Sequence, residues 1–411
     1  MLPERISRLD VSIGSRHGAG QLLKTSNYEF RYVDPGAQQP AVALLMPATK
    51  QLTWGASELF PPMDQNLPEG DLFMRIRAMF PKQQTTAMHM LALIGDNGIG
   101  RLGYRLPGAD ATPGSAPITK HQLLNITYTP QVFDELVRAY LSTGAGIAGM
   151  QPKIMVPEVR TAIPIPTLIV KAGSNVYPGL AANEYVCLRA ANLAGIVTSV
   201  FDLSHDGQLL VIERFDTLIA QDGSVERLGF EDIAALAGLR VRDTLSDRKY
   251  QGSYQRVVDL LKTLQLEQAD LTRFFAQLAL SIMVRNGDAH LKNFGVLYRS
   301  WSGKWLAPLF DVVTTSIYRY TQYAGGPELE DRTLALKLFA GKGYTKAYPT
   351  TEELLVFGEK VCGVRNPRAI LLQIADGMRR ALAEAETDDR IAPELLAEMR
   401  EAWMPGMAYA I

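Results

Sequence analysis

Cysteine and histidine are scarce in this chain of 411 residues, which contains two cysteines, Cys187 and Cys362, and five histidines. Two thiols exclude a disulfide scaffold and a cysteine-rich zinc site. The histidines are scattered without the spacing that metal ligands show. A single disulfide stays open, but both cysteines lie in segments with a helical pattern. We therefore expect two buried thiols in a reducing cytosol.

The chain also lacks a long apolar run, a signal peptide and an excess of charge. No apolar run approaches the roughly 18 residues that a membrane-spanning helix needs. Residues 1–10 (MLPERISRLD) do not show a basic segment followed by an apolar one. Lys and Arg number 42 against 43 Asp and Glu, so the net charge of −1 argues against a broad nucleic-acid surface. We expect a cytoplasmic protein that neither spans a membrane nor contacts DNA directly.

The composition is otherwise that of a globular protein with more than one domain. Hydrophobic residues make up 47% of the chain and charged residues 21%, which is enough apolar mass for a sizeable core. Residues 106–117 (LPGADATPGSAP) are rich in Gly, Pro and Ala, as linkers are. We place an N-terminal subdomain at 1–107, a linker at 108–117, a small lobe at 118–217 and a helical lobe at 218–411.

Before the linker, the pattern predicts a small module of strands and helix. Residues 28–33 alternate as a half-buried strand does, and a turn at 34–36 leads to the apolar segment 41–47 (AVALLMP), which we predict to be a buried strand. Residues 67–80 are expected to be helical, with Glu69 and Asp71 in the first turn, where they favour the helix dipole. Residues 99–104 are predicted to form a last short strand.

After the linker, short strands give way to helices. We predict a helix from 129 to about 141, strands at 153–156 and 167–171, a helix at 183–193 that ends at Gly195, and strands at 197–201 and 209–214. From about 228 the pattern is mostly helical. One apolar face spans 271–282, with Asp270 as its expected N-cap, and another spans 370–382. The predicted class is α+β with the two-lobed layout of a protein kinase: a small sheet-containing lobe, preceded by an extra N-terminal subdomain, and a mostly helical lobe.

Residues 144–149 (GAGIAG) match the pattern G-x-G-x-x-G. Glycines at these positions let the backbone approach a phosphate closely, because no side chain intervenes. A dinucleotide-binding fold would need a strand before the glycines and a helix after them, and here that order is reversed. Taken alone, the motif is equally compatible with a surface loop.

Two further features fit a nucleotide site. Lys171 ends a predicted strand soon after the glycines, and it is either a ligand for the α- and β-phosphates or a strand-end lysine in solvent. Glu184 in the next helix could pair with Lys171 or be a surface charge. Residues 209–216 (LLVIERFD) fit either a hinge that faces a purine edge or an ordinary strand end and turn.

The most specific segment is 286–294 (NGDAHLKNF). Asn293 follows Asp288 by five residues, the spacing of the kinase catalytic loop, in which the aspartate accepts the hydroxyl proton and the asparagine holds Mg²⁺. Asp311, after another apolar strand, takes the position of the second Mg²⁺ ligand, and such hard oxygens suit Mg²⁺. Between them, His290 fits a packed, hydrogen-bonded histidine better than a metal ligand.

These features occur in the order of a kinase, and the sequence resembles the HipA family of serine/threonine kinases, the toxin half of a bacterial toxin–antitoxin pair. The matching segments are 149–153 (GMQPK), 168–173 (LIVKAG), 183–188 (NEYVCL), 211–216 (VIERFD), 287–294 (GDAHLKNF) and 309–311 (LFD). Residues 60–70 also resemble the N-terminal subdomain of this family. The resemblance implies ATP and Mg²⁺ as cofactors, a protein hydroxyl as substrate, a HipB-like antitoxin as partner, and contact with DNA only through that antitoxin.

The resemblance also implies a role for each matching residue. Asp288 would be the general base, Asn293 and Asp311 would hold Mg²⁺, and Lys171 would hold phosphates. The backbone of Glu213 and Phe215 would bind adenine, and Asp216 the ribose. The other implied nucleotide contacts are Ala148, Gly149, Met150, Gln151, Pro152 and Lys153 in the phosphate-covering loop, Arg214 in the hinge, and His290, Leu291 and Lys292 in the catalytic loop. Some family members phosphorylate aminoacyl-tRNA synthetases, so the resemblance implies a toxin that inhibits translation.

One position departs from the family pattern. Self-inactivating members carry a phosphorylatable serine three residues before the glycine equivalent to Gly149, and here that residue is Gly146. Glycine has no hydroxyl, so regulation by that route is in doubt. Two other functions stay open: a small-molecule kinase on the same fold, and a nucleotide-bound module that docks an antitoxin without catalysis. Retention of Asp288, Asn293 and Asp311 counts against the second.

Overall fold

The computed structural model of the chain describes residues 3–33, 40–68, 73, 77, 85–109, 119–129, 131–132, 153–158, 165–173, 177–219, 225–239, 246–321 and 328–411. The chain divides into two compact units. Unit 1 comprises residues 1–172, 211–248 and 295–304, and unit 2 comprises residues 173–210, 249–294 and 305–411.

Unit 1 begins with a five-stranded antiparallel sheet in the order β4–β3–β2–β1–β5. Its strands are β1 (Arg8–Ile13), β2 (Arg16–Lys24), β3 (Tyr28–Tyr32), β4 (Thr53–Ala56) and β5 (Leu102–Arg105). The predicted strand at 28–33 is confirmed, and the one at 99–104 lies slightly later. Among the described residues before the second sheet, the helices of this unit are α1 (Pro61–Asp64), α2 (Ala87–Ile94) and α3 (Lys120–Asn125). Capping boxes at Thr86 and Thr119 begin α2 and α3.

Most of the apolar segment 41–47 is buried, as predicted, although Leu45 is exposed, and the prediction that the segment forms a strand is wrong. Its backbone groups find side-chain partners in place of a neighbouring strand. The N–H of Val42 donates to the hydroxyl of Tyr32 at 2.7 Å, and the N–H of Leu44 donates to Oε1 of the buried Glu231 at 2.7 Å. Because buried backbone groups need partners of some kind, these two side chains stabilise an irregular path that hydrophobicity alone does not predict.

A second sheet in unit 1 carries two of the expected phosphate-binding lysines. The antiparallel strands β6 (Lys153–Glu158) and β7 (Ile165–Ala172) form a hairpin, and β9 (Leu209–Glu213), which begins in unit 2, lies next to β7. The strands predicted at 153–156, 167–171 and 209–214 are thereby confirmed. The remaining elements of unit 1 are β10 (Thr217–Ile219), β11 (Val225–Arg227), β12 (Gly229–Asp232), α5 (Ile233–Leu236) and β13 (Gly295–Tyr298).

Unit 2 is mostly helical. Its helices are α4 (Leu180–Leu193), α6 (Tyr254–Thr263), α7 (Gln268–Met283), α8 (Thr351–Val356), α9 (Pro367–Ala385) and α10 (Pro393–Met407). Its strands are β8 (Phe201–Leu203), β15 (Arg319–Thr321) and β16 (Glu328–Glu330), and β14 (Lys304–Leu306) begins in unit 1 and ends in unit 2. The helix predicted at 183–193 is confirmed, and Gly195, with φ of 78°, follows its end. The strand predicted at 197–201 lies later, at β8.

Helix α7 confirms the predicted apolar face but not the predicted N-cap. The buried residues of that face are Leu271, Phe274, Phe275, Leu278 and Ile282. The N-cap is Glu267, and Asp270 lies in the first turn of the helix. There the buried carboxylate of Asp270 accepts a hydrogen bond from the N–H of Leu306 at 2.9 Å and pairs with Arg273. The role of Asp270 is therefore to bind the backbone of a distant segment and not to cap the helix.

Both cysteines are buried and unpaired, as predicted. Burial raises the pKa of each thiol to about 12. Among the described residues, no helix is long and apolar enough to cross a membrane. The predicted helices at 67–80 and 129–141 and the linker at 108–117 lie largely outside the described residues, and the glycine-rich segment at 144–149 lies wholly outside them.

Candidate active site

The loop that carries Asp288 connects α7 to β13, and hydrogen bonds to its backbone hold it. Arg285 enters the loop with φ of 60°, in the left-handed region that side chains other than glycine seldom adopt. The N–H of Gly287 donates to Oγ1 of Thr315 at 2.7 Å, and the N–H of Asp288 donates to Oδ1 of Asn286 at 3.0 Å. The surrounding unit thus stabilises a backbone path that the local sequence would not hold by itself.

The side chain of Asp288 has a partner that the motif does not predict. The hydroxyl of Tyr250 donates to Oδ1 of Asp288 at 2.7 Å, across 38 residues of sequence. Tyr250 ends a 3₁₀ turn, Ser246–Tyr250, shortly before α6. No spacing or composition in the sequence marks this tyrosine.

His290 is a packed, hydrogen-bonded histidine, as predicted. It is buried, and its Nδ1 accepts the N–H of Lys292 at 3.3 Å, which assigns the proton of the neutral ring to Nε2. Burial, followed by the positive charges of Lys249 and Lys292, holds the pKa of His290 well below its usual value. The ring is therefore uncharged near neutral pH, and its hydrogen bond with the N–H of Lys292 joins it to the backbone of the loop that carries Asp288.

Asn293 and Asp311 meet in unit 2, as the kinase-like spacing predicts. Nδ2 of Asn293 donates to Oδ2 of Asp311 at 3.4 Å, and Oδ1 of Asn293 accepts the N–H of His290 at 3.0 Å. Asp311 has φ of 56°, one of three positive values among the described non-glycine residues. A hydrogen-bonded path thus runs from the catalytic loop to the carboxylate of Asp311.

These two side chains fit a magnesium ion. The described residues contain no group of three or more His, Cys, Asp or Glu that could enclose a metal by themselves. Magnesium does not require such a group, since one or two protein oxygens commonly hold it together with water and substrate phosphates. The carboxylate of Asp311 and Oδ1 of Asn293 are hard-oxygen donors of this kind, and Oδ1 keeps a second lone pair beside the one that accepts the N–H of His290.

The segment after Asp311 is anchored to α4 and α10. Nδ2 of Asn183 donates to the carbonyl of Thr314 at 3.0 Å, and the N–H of Thr314 donates to Oδ1 of Asn183 at 2.8 Å. Nε1 of Trp403 donates to Oγ1 of Thr314 at 2.7 Å. Asn183 and Trp403 are fully buried, so the chain directly beyond the candidate metal ligand is clamped inside unit 2.

In unit 1, Lys171 lies on β7 with its side chain buried. Its exposed fraction of 4% rules out the alternative of a strand-end lysine in solvent. Lys153 is its register partner on β6. Glu184 on α4 in unit 2 is 1% exposed, so the alternative of a surface charge is also wrong. A buried lysine and a buried glutamate each need compensation, which is typical of functional ionisable groups.

The predicted hinge residues are tied into unit 1. The N–H of Arg214 donates to the carbonyl of Thr167 on β7 at 2.7 Å. The guanidinium of Arg214 pairs with the buried carboxylate of Asp216, which also accepts the N–H of Gly100 at 2.6 Å. Burial by itself would raise the pKa of Asp216, but Arg214, with smaller effects from Arg227 and Gly100, holds it below its usual value.

Asp216 therefore has a structural role inside unit 1, where it joins the hinge segment to the loop before β5. Its contact with a ribose stays a prediction. At the strand end, Oε1 of Glu213 lies 3.4 Å from Nζ of Lys120, and the ring of Phe215 packs against Phe230 with centroids 5.4 Å apart. Adenine binding by these two backbones also stays a prediction.

Each unit thus gathers part of the predicted site. Unit 2 gathers the members of the catalytic loop and the candidate metal pair: Asp288, His290, Leu291, Lys292, Asn293 and Asp311. Unit 1 carries Lys153, Lys171, Glu213, Arg214, Phe215 and Asp216. The predicted phosphate-covering residues Ala148, Gly149, Met150, Gln151 and Pro152 lie outside the described residues. The residues that sequence reasoning missed are Tyr250, Asn183, Thr314 and Trp403, which act through long-range contacts that no local pattern reveals.

Comparison with known proteins gives sequence relatives over part of the chain. "Putative kinase Y4mE" of Sinorhizobium fredii is 28% identical over 257 residues, which are 59% of this chain and 57% of that protein. "Putative kinase Y4dM" of the same organism is 28% identical over 164 residues, 36% of this chain and 38% of that protein. These alignments span less than two thirds of either relative.

A solved structure matches over nearly the whole chain. It is the complex of the Shewanella oneidensis MR-1 toxin–antitoxin system HipA, HipB and its operator DNA, with a TM-score of 0.70 and 18% identity over 98% of this chain and 96% of that one. At this identity the likeness shows the fold, and it confirms the predicted two-lobed, kinase-like α+β class.

Two family descriptions match the sequence. "HipA-like C-terminal domain" covers residues 145–386, more than half of the chain, and "HipA N-terminal domain" covers residues 9–105. These matches agree with the resemblance that the motifs indicated. The chain therefore belongs to the HipA family.

Proposed function

We propose that this protein is a kinase that transfers the γ-phosphoryl group of ATP to a serine or threonine hydroxyl of another protein. The observation that carries the proposal is the hydrogen-bonded path from the catalytic loop through Asn293 to Asp311. Asp288 lies on the same loop, five residues before Asn293. The kinase names of the two Sinorhizobium relatives support the same reaction.

Each candidate residue has its own role in the proposed phosphoryl transfer. Asp288 orients the attacking hydroxyl and accepts its proton. Asn293 and Asp311 would hold Mg²⁺, and the ion would neutralise the negative charge on the phosphates. For the residues of unit 1, the proposal takes over the roles that the family resemblance implies: Lys171 as a phosphate ligand, Glu213 and Phe215 as adenine contacts, and Asp216 as a ribose contact.

The reaction balances without another reactant. The substrate oxygen forms a bond to the γ-phosphorus, and the bond from that phosphorus to the β,γ-bridging oxygen breaks, which releases ADP. The hydroxyl proton passes to the carboxylate of Asp288. Because such transition states are largely dissociative, the main contributions of the chain are positioning and charge neutralisation.

Replacement of Asp288 is the direct test. In Asp288→Ala we expect phosphoryl transfer to fall by about 10²–10⁴-fold, the usual contribution of a positioned general base. Binding of MgATP should persist, because this side chain is not one of the proposed nucleotide or metal ligands. Transfer is measured with γ-labelled ATP, and binding by the shift in melting temperature that MgATP produces.

Asp259→Ala is the matched control, since Asp259 is an exposed aspartate on α6. This variant should transfer phosphate at the wild-type rate. Turnover of Asp288→Ala equal to that of the control would contradict the assigned base.

We further propose that the acceptor is a protein of the translation machinery, such as an aminoacyl-tRNA synthetase, and that a HipB-like antitoxin binds this chain. The Shewanella oneidensis complex, which contains HipB and operator DNA, supports the proposed partner. Phosphoproteomics after expression of the wild type and of Asp288→Ala would identify the acceptor as a hydroxyl labelled by the wild type alone. Label found only in small metabolites would instead indicate a small-molecule kinase.

A further inference from the structure

The hydroxyl of Tyr250 is the partner of Asp288 that the motif does not include. At 2.7 Å from Oδ1, it is at the usual distance for an O–H donor to a carboxylate. Both residues belong to unit 2, but Tyr250 comes from the turn before α6 and Asp288 from the loop after α7. The bond therefore joins the carboxylate to a separate element of the unit.

The ring of Tyr250 is held from several directions. It meets the ring of His290 edge-on, with centroids 5.1 Å apart and an interplanar angle of 75°. Nζ of Lys249 lies 5.4 Å from the centroid of the ring, and Nζ of Lys346 lies 5.8 Å from it. Both ammonium groups are within the range of cation–π attraction. These contacts fix the place of the hydroxyl before any substrate arrives.

A general base depends on the direction of its carboxylate as well as its position. A carboxylate has two oxygens and about four acceptor sites, so one O–H donor orients the group without exhausting its capacity to accept a proton. A misplacement of about 1 Å can cost on the order of 100-fold in rate. Because the carboxylate is already oriented in the folded protein, the side chain of Asp288 loses no further conformational entropy when the transition state forms.

We propose that Tyr250 is the positioning residue of the reaction, and that its hydroxyl aims the carboxylate of Asp288 at the acceptor hydroxyl. This inference rests on the proposed function, because it takes Asp288 to be the base. Tyr250 acts through Asp288 and need not touch the substrate.

The kinetic test is Tyr250→Phe, which keeps the ring and removes the donor. With the acceptor protein found by phosphoproteomics, kcat should fall about 10-fold or more, while KM for ATP stays within about twofold, since the lost interaction matters in the transition state and not in nucleotide binding. A kcat within twofold of the wild type would overturn the proposal.

The matched control is Tyr254→Phe, because the hydroxyl of Tyr254 donates to the carbonyl of Ala289 in the same loop at 2.9 Å. This variant also loses a hydroxyl bonded to the loop, but the carboxylate of Asp288 keeps its donor. We expect a lower midpoint of urea unfolding with kcat within about twofold. An equal loss of kcat in the two variants would mean that Tyr250 is merely structural, and would overturn the proposal.

A double-mutant cycle separates this inference from the proposed function, because it needs no activity. The cycle compares the unfolding constants of the wild type, Tyr250→Phe, Asp288→Ala and the double variant. The effect of Tyr250→Phe on the unfolding constant should be about tenfold larger when Asp288 is present than when it is absent, as a hydrogen bond to a charged group gives. Coupling in a protein that transfers no phosphate would uphold the contact and overturn the function. Absence of coupling would overturn the positioning role. Phosphate found on Tyr250 after incubation with MgATP would also overturn it, since the tyrosine would then be an acceptor.

Discussion

Asp311 shows how a single residue can depend on distant parts of the chain. Its φ of 56° is unfavourable for an L-residue, at a typical cost of about 1–2 kcal/mol, although aspartate tolerates the region better than most residues. Local sequence cannot hold this conformation. Asp311 bonds to Asn293, and Thr314, three residues further along the chain, bonds to Asn183, so the conformation and the candidate metal site depend on the same contacts.

Glu231 is a second residue whose properties come from its surroundings. It lies buried on β12, where Oε1 accepts the N–H of Leu44 and the hydroxyl of Tyr298 donates to the same carboxylate. Burial raises the pKa of Glu231 to about 7, the nearby charge of Asp232 adds to the rise, and the two hydrogen bonds and Arg101 oppose it. The folded protein therefore binds a proton at Glu231 that the unfolded chain releases near pH 4.5.

Glu231 should make the protein less stable as pH rises from about 4.5 to about 7, because the folded state binds the extra proton in that window. Glu231→Gln mimics the protonated side chain and removes this dependence. At pH 5 the two proteins should unfold alike, and at pH 8 the variant should be more stable by at most about 3 kcal/mol. Urea unfolding across this pH range measures the difference.

Glu226→Gln is the control for that series, since Glu226 is exposed and forms a surface pair with Arg299. Its difference from the wild type should not change between pH 5 and pH 8. A Glu231→Gln curve that runs parallel to the wild type would show that Glu231 is charged throughout.

At the scale of elements, Asn183 joins α4 to the segment after Asp311. Its amide matches the backbone of Thr314 as a second peptide group would, with one bond donated and one accepted. The side chain of Asn183 is needed here because the buried N–H and C=O of Thr314 have no strand to pair with.

Asn183→Ala should destabilise the protein by about 2–6 kcal/mol, because two buried backbone groups lose their partners and each costs about 1–3 kcal/mol. The control on the same helix is Asn192→Ala, where the asparagine is exposed and its loss should change stability by less than about 0.5 kcal/mol. Urea unfolding of both variants measures the effects. Equal stability of the two would show that α4 does not hold Thr314 in place.

The errors of prediction at this scale share one cause. Segment 41–47 and Asp270 were assigned a strand and a cap from local pattern, and the structure uses both for long-range hydrogen bonds. The prediction of the amphipathic face of α7 and of the alternation in β3 is correct, because apolar residues recur in the sequence with the same period as buried positions in the helix or strand. Irregular buried segments carry no such period.

For the molecule as a whole, the two buried thiols report on the integrity of unit 2, since Cys187 lies on α4 and Cys362 follows α8 in the same unit. Burial raises the pKa of both to about 12, so neither forms a reactive thiolate at neutral pH. The native protein should show no fast reaction with a disulfide reagent such as DTNB, and two thiols should react in urea. The melting temperature should be the same with and without reductant. Rapid labelling of one thiol in the native protein would reveal that unit 2 opens locally around it.

The sequence by itself determined the class of fold, the identity of the family and the spacing of Asp288, Asn293 and Asp311, because periodic burial and short motifs are local properties of the chain. Only the tertiary structure decided which side chains orient those residues. Tyr250 bonds to Asp288, Asn183 holds the segment beyond Asp311, and Glu231 accepts a hydrogen bond from the irregular segment 41–47. Hydrogen bonds between residues far apart in the chain depend on how whole helices and strands pack, and neither the composition nor the spacing of motifs predicts that packing.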